Sequence, residues 1–124
     1  MFIVDDDPFW AAMLTQLLND LGYFNVLSFN NGRDCIKYLS LNPCIVFLDY
    51  QMDDINGLEV LQQIKQNHPT TGVLMCTANE DLSVAVNAMK YGSYDYLLKR
   101  NASSKEIAAL IDAMTELSLV EEIY

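Results

Sequence analysis

The sequence predicts an α/β fold in which a five-stranded parallel sheet is doubly wound, with helices on both of its faces. Two observations support this class. Apolar runs of strand length alternate along the chain with segments of helical period. One of these runs, at residues 44–48, is continuously apolar, which is typical of a strand buried on both faces in the middle of a parallel sheet.

In the first third of the chain, residues 2–4 and 25–29 predict two strands with a helix between them. Asp7 and Pro8 mark the start of that helix, because Asp is a common N-cap and proline fits the first helical position. Gly22 ends the helix. Its buried stripe is predicted to be Leu14, Leu17, Leu18 and Leu21.

In the middle third, Ile36 and Leu39 indicate a short second helix. The third strand is the run at 44–48, which stops abruptly at Asp49. A third helix must end before Pro69, because the residue preceding a proline avoids helical backbone angles. The stripe of this helix is Leu58, Leu61 and Ile64.

In the last third, residues 73–77 and 94–98 predict the fourth and fifth strands. Gly92 closes the helix between them, and Ser103 with Glu106 fits a capping box at the start of the last helix. The predicted stripes are Val84, Ala88 and Met89 in the fourth helix and Ile107, Leu110, Ile111, Met114 and Leu117 in the fifth. Right-handed crossovers at this size favour the flavodoxin-like strand order 2-1-3-4-5.

Composition narrows the class of protein. The 124 residues fit a single domain, and the net charge of −10 argues against direct binding to nucleic acid. No apolar run approaches the roughly 18 residues of a membrane span, and the first residues do not resemble a signal peptide, so we expect a cytoplasmic domain with no membrane contact. Cys35, Cys44 and Cys76 form no C-x-x-C pair and are predicted to be buried free thiols. His68 is predicted to have no functional role.

Polar residues that bear chemistry stand where the predicted strands end. Asp5 and Asp6 follow the first strand, Asp49 the third, Thr77 ends the fourth, and Lys99 follows the fifth. Strands 1, 3, 4 and 5 are neighbours in the predicted order, so these residues should meet at one rim. Two carboxylates about 5 Å apart repel by about 3 kcal/mol at an effective dielectric near 20. Three carboxylates at this rim therefore cannot all stay ionised unless a proton or a cation offsets their negative charge.

Carboxylate oxygens are the ligands that Mg²⁺ (or Mn²⁺) prefers, with positions left open for water and a phosphate. A lysine adds a second positive charge, and a threonine hydroxyl can bond one more phosphoryl oxygen. Such a set stabilises a phosphoryl group in transfer, where positioning and charge neutralisation supply most of the catalysis. The remaining carboxylate is then the nucleophile.

Four motifs occur in order along the chain: Ile-Val-Asp-Asp-Asp-Pro at 3–8, an apolar strand ending in Asp49 with Gly57 eight residues later, Thr77-Ala78, and Asp95-Tyr-Leu-Leu-Lys99. With these motifs the chain resembles a response regulator receiver domain, a family of two-component signalling, over its whole length. The resemblance implies one receiver domain at residues 1–124 that acts as a phosphorylation switch rather than an enzyme. Its partner would be a sensor histidine kinase or a phosphotransfer protein.

The resemblance also implies roles for individual residues. Asp49 is the phosphoacceptor, assisted by Thr77 and Lys99. Asp6 binds Mg²⁺ directly and Asp5 directly or through water, with Asp49 and the Gln51 backbone carbonyl completing the protein ligands. Thr77 and Tyr96 match the switch pair of the family, although an ordinary packed Tyr is an equal alternative for Tyr96. Docking of an effector or a homodimer is expected on the face formed by helix 4, strand 5 and helix 5.

Three positions depart from the pattern of the family. Asp53 stands where a proline is usual, followed by Asp54, and these two acids near the pocket either tighten Mg²⁺ binding or slow the arrival of an anionic donor. Arg100 replaces the proline that usually follows the lysine. Since a non-proline cis bond costs about 2.5–4 kcal/mol, the Lys99–Arg100 bond is predicted to be trans.

The sequence also allows two other functions. A Mg²⁺-dependent phosphatase with an aspartyl nucleophile would resemble this site, but such enzymes typically carry a second Asp where this chain has Gln51. A phosphate-independent interaction module would keep the fold without the chemistry, and the set of Asp6, Asp49, Thr77 and Lys99 argues against it. The sequence does not indicate the output of the switch.

Overall fold

A computed structural model describes the backbone of residues 1–123 and the side chains of residues 1–115. Five parallel strands form one sheet in the order β2-β1-β3-β4-β5, which confirms the predicted fold and strand order. The strands are β1 (Phe2–Val4), β2 (Leu27–Phe29), β3 (Ile45–Asp49), β4 (Gly72–Thr77) and β5 (Asp95–Leu98).

Helices follow every strand, as expected for a doubly wound sheet. They are α1 (Pro8–Asp20), α2 (Gly32–Lys37), α3 (Gly57–Asn67), α4 (Leu82–Lys90) and α5 (Ser104–Ile123), with single 3₁₀ turns at Leu39–Leu41 and Lys99–Asn101. No helix in the described part of the chain is both long and apolar enough to cross a membrane.

The core is divided by the sheet into two layers. All five residues of β3 are buried, and the four apolar ones alternate between the two layers as strand geometry requires. Phe47 packs with residues of α1 and α5, among them Trp10 and Ile111. Leu48 packs on the opposite side with residues of α2 and α3, among them Cys35 and Leu61. Burial on both faces therefore accounts for the continuous apolar run.

Side-chain caps start the helices where the sequence places them. Asp7 Oδ1 accepts hydrogen bonds from the N–H groups of Phe9 and Trp10, which confirms that Asp7 caps α1. Ser103 Oγ accepts from the N–H of Glu106 at the start of α5. Gly22 and Gly92 have positive φ angles of 96° and 103° just after α1 and α4, the conformation that a glycine ending a helix allows.

The structure corrects several details. The second strand is three residues long rather than the predicted 25–29, because its partner β1 also has only three, and β5 begins at Asp95. Met89 was predicted in the stripe of α4 but is 47% exposed, since it lies on the outer face of a helix at the edge of the sheet. Cys44 is exposed just before β3, whereas Cys35 and Cys76 are buried as predicted. The Leu117 side chain lies outside the described residues.

Gly57 is the first residue of α3, and its backbone lies against the end of β3. Its N–H donates to the Tyr50 carbonyl at 2.9 Å. A Cβ at this position would collide with the Asp49 carbonyl oxygen and come within 2.8 Å of Tyr50 Cα. Both neighbours are backbone atoms, so a side chain here must displace the strand end that carries Asp49.

We predict that Gly57→Ala lowers the free energy of unfolding by about 1–3 kcal/mol, the usual cost of overpacking, despite the better helix propensity of alanine. Urea unfolding followed by circular dichroism measures this change. Gln62→Ala, an exposed substitution on the same helix, serves as the control and should stay within about 0.5 kcal/mol of the wild type. Equal stabilities of the two variants would contradict the close approach at Gly57.

Candidate functional site

Parallel register brings the predicted site residues to one rim of the sheet. Val4 pairs with Leu48, so Asp5 and Asp49 leave neighbouring strands at the same level. Thr77 pairs with Leu98, so Lys99 follows the end of β5 beside them. Residues that are 44 and 50 positions apart in sequence therefore become neighbours, as the carboxyl ends of parallel strands require.

Asp5, Asp49 and Lys99 are in direct contact. Lys99 Nζ lies 2.7 Å from Asp5 Oδ2 and 3.4 Å from Asp49 Oδ1. Asp5 and Asp49 are only 3% and 6% exposed, so the two carboxylates share one ammonium group in a largely desolvated place. One positive charge facing two buried negative charges leaves the cluster short of a cation.

The surroundings of Asp49 shift its pKa. Burial raises the pKa of Asp49 from 3.8 to about 7, and the negative charge of Asp5 adds to the rise. Lys99 and the N–H of Gln51 act in the opposite direction without cancelling it. In the metal-free protein, Asp49 therefore changes its charge near neutral pH, so a proton and a cation compete for the same oxygens.

Lys99 is held from two sides. Burial acts to lower the pKa of Lys99, but the hydrogen bond to Asp5 and the negative charges of Asp49 and Asp5 outweigh it and keep that pKa above its usual value. On the other side, Lys99 Nζ lies 5.3 Å from the centroid of the Trp10 ring, within the range of a cation–π interaction. In the sequence, the position of Trp10 four residues after Asp6 places a tryptophan near the site, but it does not show that the ring contacts Lys99.

The three carboxylates fit a divalent cation. Asp5, Asp6 and Asp49 each offer an oxygen, and these oxygens lie within 4.8 Å of one another. Asp5 Oδ2 is buried and has no hydrogen-bond partner among the described residues apart from its ion pair with Lys99. Asp6 is exposed and leaves the group open to solvent. Hard oxygen ligands with an open side are the arrangement that Mg²⁺ prefers.

The other predicted residues surround this cluster. Thr77 is buried at the end of β4, and its Oγ1 accepts from the N–H of Asn79 at 3.0 Å. Tyr96 is half-buried and packs against the core layer that contains Met75, its partner across the sheet. By strand alternation Thr77 and Tyr96 lie on the same face of adjacent strands. Gln51 is exposed, and its N–H lies 3.5 Å from Asp49 Oδ1.

Of the two acids that depart from the family pattern, Asp54 is not part of the group formed by Asp5, Asp6 and Asp49. Its carboxylate accepts hydrogen bonds from the N–H groups of Gly32 and Arg33 at the start of α2. Slight burial acts to raise the pKa of Asp54, but hydrogen bonds from backbone N–H groups, those of Arg33, Ile55 and Gly32 among them, hold it below its usual value. Its carboxylate is thus engaged with the backbone of α2, and whether its charge affects Mg²⁺ binding or the donor stays a prediction.

Arg100 forms an ion pair with Glu80, which joins the segment after β5 to the loop after β4. Both side chains are more than half exposed, so this ion pair contributes little to stability. The predicted trans bond between Lys99 and Arg100 is confirmed, since no peptide bond within residues 1–123 is cis.

Comparison with known proteins shows which family this chain resembles. The family model for the response regulator receiver domain matches residues 1–112. The chemotaxis protein CheY of Thermotoga maritima is 31% identical over 111 residues, which are 89% of this chain and 92% of that protein. The DNA-binding transcriptional regulator NtrC of Escherichia coli is 37% identical over 100 residues, which are 80% of this chain but only 21% of NtrC.

Solved structures show the same fold. The signal receiver domain of a putative LuxO repressor protein from Vibrio parahaemolyticus superposes with a TM-score of 0.88 at 26% identity, over 98% of this chain and 93% of that one. NtrX from Brucella abortus superposes with a TM-score of 0.89 at 23% identity, over 98% of this chain and 28% of that one. The likeness to NtrX concerns the fold alone.

The raised pKa of Asp49 predicts how stability depends on pH. The metal-free protein binds more protons folded than unfolded between pH 3.8 and about 7, so its stability should rise as the pH falls through 7. We expect a gain of about 1 kcal/mol between pH 8 and pH 6, measured by urea unfolding in the presence of a chelator. Asp49→Asn, which changes no other residue, should lose this gain. An equal gain in both proteins would contradict the assignment.

Trp10 is the only tryptophan and lies against Lys99, so its fluorescence should report binding at the acidic group. We expect a saturable change in emission on titration with Mg²⁺, because a cation bound by Asp5 and Asp49 weakens their hold on the ammonium group. Lys99→Met should reduce the amplitude of the change. Unchanged emission, under conditions where calorimetry detects binding, would show that the ring is not coupled to the site.

Proposed function

The chain belongs to the response regulator receiver domain family, and on that premise we propose that it is a signalling switch in which Asp49 accepts a phosphoryl group from a histidine kinase or a phosphotransfer protein. The observation that carries this proposal is the buried Asp49 carboxylate, which shares one ammonium group with Asp5 beside a third carboxylate. The cluster of carboxylates can therefore accept further positive charge. We expect this switch to work in the cytoplasm.

In the proposed transfer, an oxygen of Asp49 attacks the phosphorus atom of a phosphohistidine. The new O–P bond replaces the N–P bond, and the electron pair of that bond returns to the imidazole. Lys99 neutralises a phosphoryl oxygen, and the Thr77 hydroxyl donates to another after leaving Asn79. Slow hydrolysis, in which water attacks the phosphorus atom and releases phosphate, regenerates Asp49.

Asp5, Asp6, Asp49 and the Gln51 carbonyl would hold Mg²⁺ (or Mn²⁺), which would supply the positive charge that an anionic donor needs at this acidic site. Lys99, which lies against Asp5 and Asp49, contributes a further positive charge. Because Lys99 is already paired with both Asp5 and Asp49, the phosphoryl group takes over a partner that is in place before the reaction.

The readout of the switch is proposed for the face formed by α4, β5 and α5. Movement of Thr77 toward the phosphoryl group frees space on the face that it shares with Tyr96, and the ring turns inward. The exposed side of α4 is apolar: Leu82, Val86 and Met89 are 70%, 56% and 47% exposed at helical spacing. Such a stripe suits an effector surface or a second copy of the chain.

Incubation with acetyl phosphate and Mg²⁺ should add one phosphoryl group per chain, detected by intact mass spectrometry. Asp49→Asn should abolish the addition, and a chelator should reduce it strongly, because the acidic group then repels the donor. Lys99→Met should slow it by roughly 100-fold or more, which corresponds to loss of one positioned charge. Absence of the mass gain in the wild type would overturn the proposal, and sustained turnover of a small phosphoester would indicate a phosphatase instead.

A further inference from the structure

The loop that follows Asp49 is tied to α2 by Asp54. The two carboxylate oxygens of Asp54 accept from Gly32 N–H at 3.1 Å and from Arg33 N–H at 3.0 Å. Asn31 Oδ1 takes the next N–H, that of Asp34, at 2.8 Å. The first turn of α2 is thus capped from two sources, one adjacent in sequence and one 22 residues further along the chain.

An apolar contact reinforces this connection. Gly32 is buried, and a Cβ at this position would come within 2.6 Å of Val60 Cγ2 and 2.8 Å of Ile55 Cγ1. Ile55 is the residue next to Asp54. Hydrogen bonds and close packing therefore hold the same point of the loop against the start of α2.

Gln51 lies within this loop, and its own hydrogen bond to Asp49 is long. The base of the loop is closed where Gly57 N–H donates to the Tyr50 carbonyl, and the far side is fixed at Asp54. Gln51 is exposed, and its own N–H is 3.5 Å from Asp49 Oδ1. The position of its carbonyl thus depends on how its neighbours are held: Tyr50, whose N–H donates to the Cys76 carbonyl, Met52, which packs against the core, and Asp54. Asp53, which stands where receiver domains usually have proline, supplies no rigidity of that kind.

We propose that Asp54 is a positioning residue that holds the loop of residues 50–57 against α2 and so fixes the Gln51 carbonyl for the cation. This inference rests on the proposed function, because the position of the carbonyl matters only if it binds the metal ion. Asp54 is not one of the three carboxylates whose oxygens lie within 4.8 Å of one another. It acts through the backbone, as the outer partners of metal ligands do.

Isothermal titration calorimetry with Mg²⁺ on the full chain tests the proposal. Asp54→Ala should raise the Kd by about tenfold, the usual lower range for outer partners of a metal site. Asp54→Asn should give a smaller change, since it retains one acceptor oxygen. Asp53→Ala removes the same charge from the neighbouring position and should leave the Kd within about twofold.

Asn31→Ala is the matched structural control, because it removes the other cap of α2 without touching the loop. It should lower the thermal stability of the protein as Asp54→Ala does, yet leave the Mg²⁺ Kd unchanged. Amide hydrogen exchange should be faster at residues 51–53 in Asp54→Ala than in Asn31→Ala. Equal effects of these two variants on Kd and on exchange would overturn the proposal, as would an unchanged Kd in Asp54→Ala.

These measurements distinguish failure of the proposed function from failure of the proposed role of Asp54. If the wild-type chain binds no Mg²⁺ and gains no phosphoryl group, the switch mechanism is refuted. The exchange rates of residues 51–53 then still decide whether Asp54 holds the loop. If the wild type binds Mg²⁺ and is phosphorylated while Asp54→Ala matches it, only the role of Asp54 is refuted.

Discussion

The structure depends on one electrostatic constraint: two buried carboxylates, Asp5 and Asp49, share a single ammonium group from Lys99. Separately, each group would pay a large desolvation penalty, and together they remain one positive charge short. Burial, and after it the negative charge of Asp5, raises the pKa of Asp49 to about 7, because Lys99 does not cancel both. A proton, a metal ion or a phosphoryl group with its metal ion can each relieve the shortage of positive charge, which makes the cluster responsive to its ligands.

The surrounding fold keeps this unfavourable arrangement in place. Strand register sets Asp5 beside Asp49, and the backbone of Gly57 closes the loop behind the strand end. Trp10 covers the other side of Lys99, so the ammonium group stays near the carboxylates. A packed apolar core on both faces of β3 supplies the stability that the charged rim lacks.

The fold and the location of the site were predictable from the sequence for a common reason. Strand periodicity fixes which residues end each strand, and a parallel sheet gathers those ends at one rim, so Asp5, Asp49 and Lys99 could be placed together. Periodicity does not report which side of an edge helix is covered, and the exposure of Met89 was missed for that reason. Asp54 and Trp10 each contact a residue that is far away in sequence, Gly32 and Lys99 respectively. Such contacts depend on where the side chains point in the folded protein, which no local sequence pattern encodes.

The central claim is that Asp49 is a buried carboxylate short of positive charge. Its carboxyl carbon can be followed by ¹³C NMR during a pH titration, first without metal and then with saturating Mg²⁺. The account predicts a midpoint at pH about 7 without metal, and a midpoint well below that value when the cation is bound. A midpoint near 4 under both conditions would show that Asp49 is an ordinary solvated carboxylate and would contradict the account.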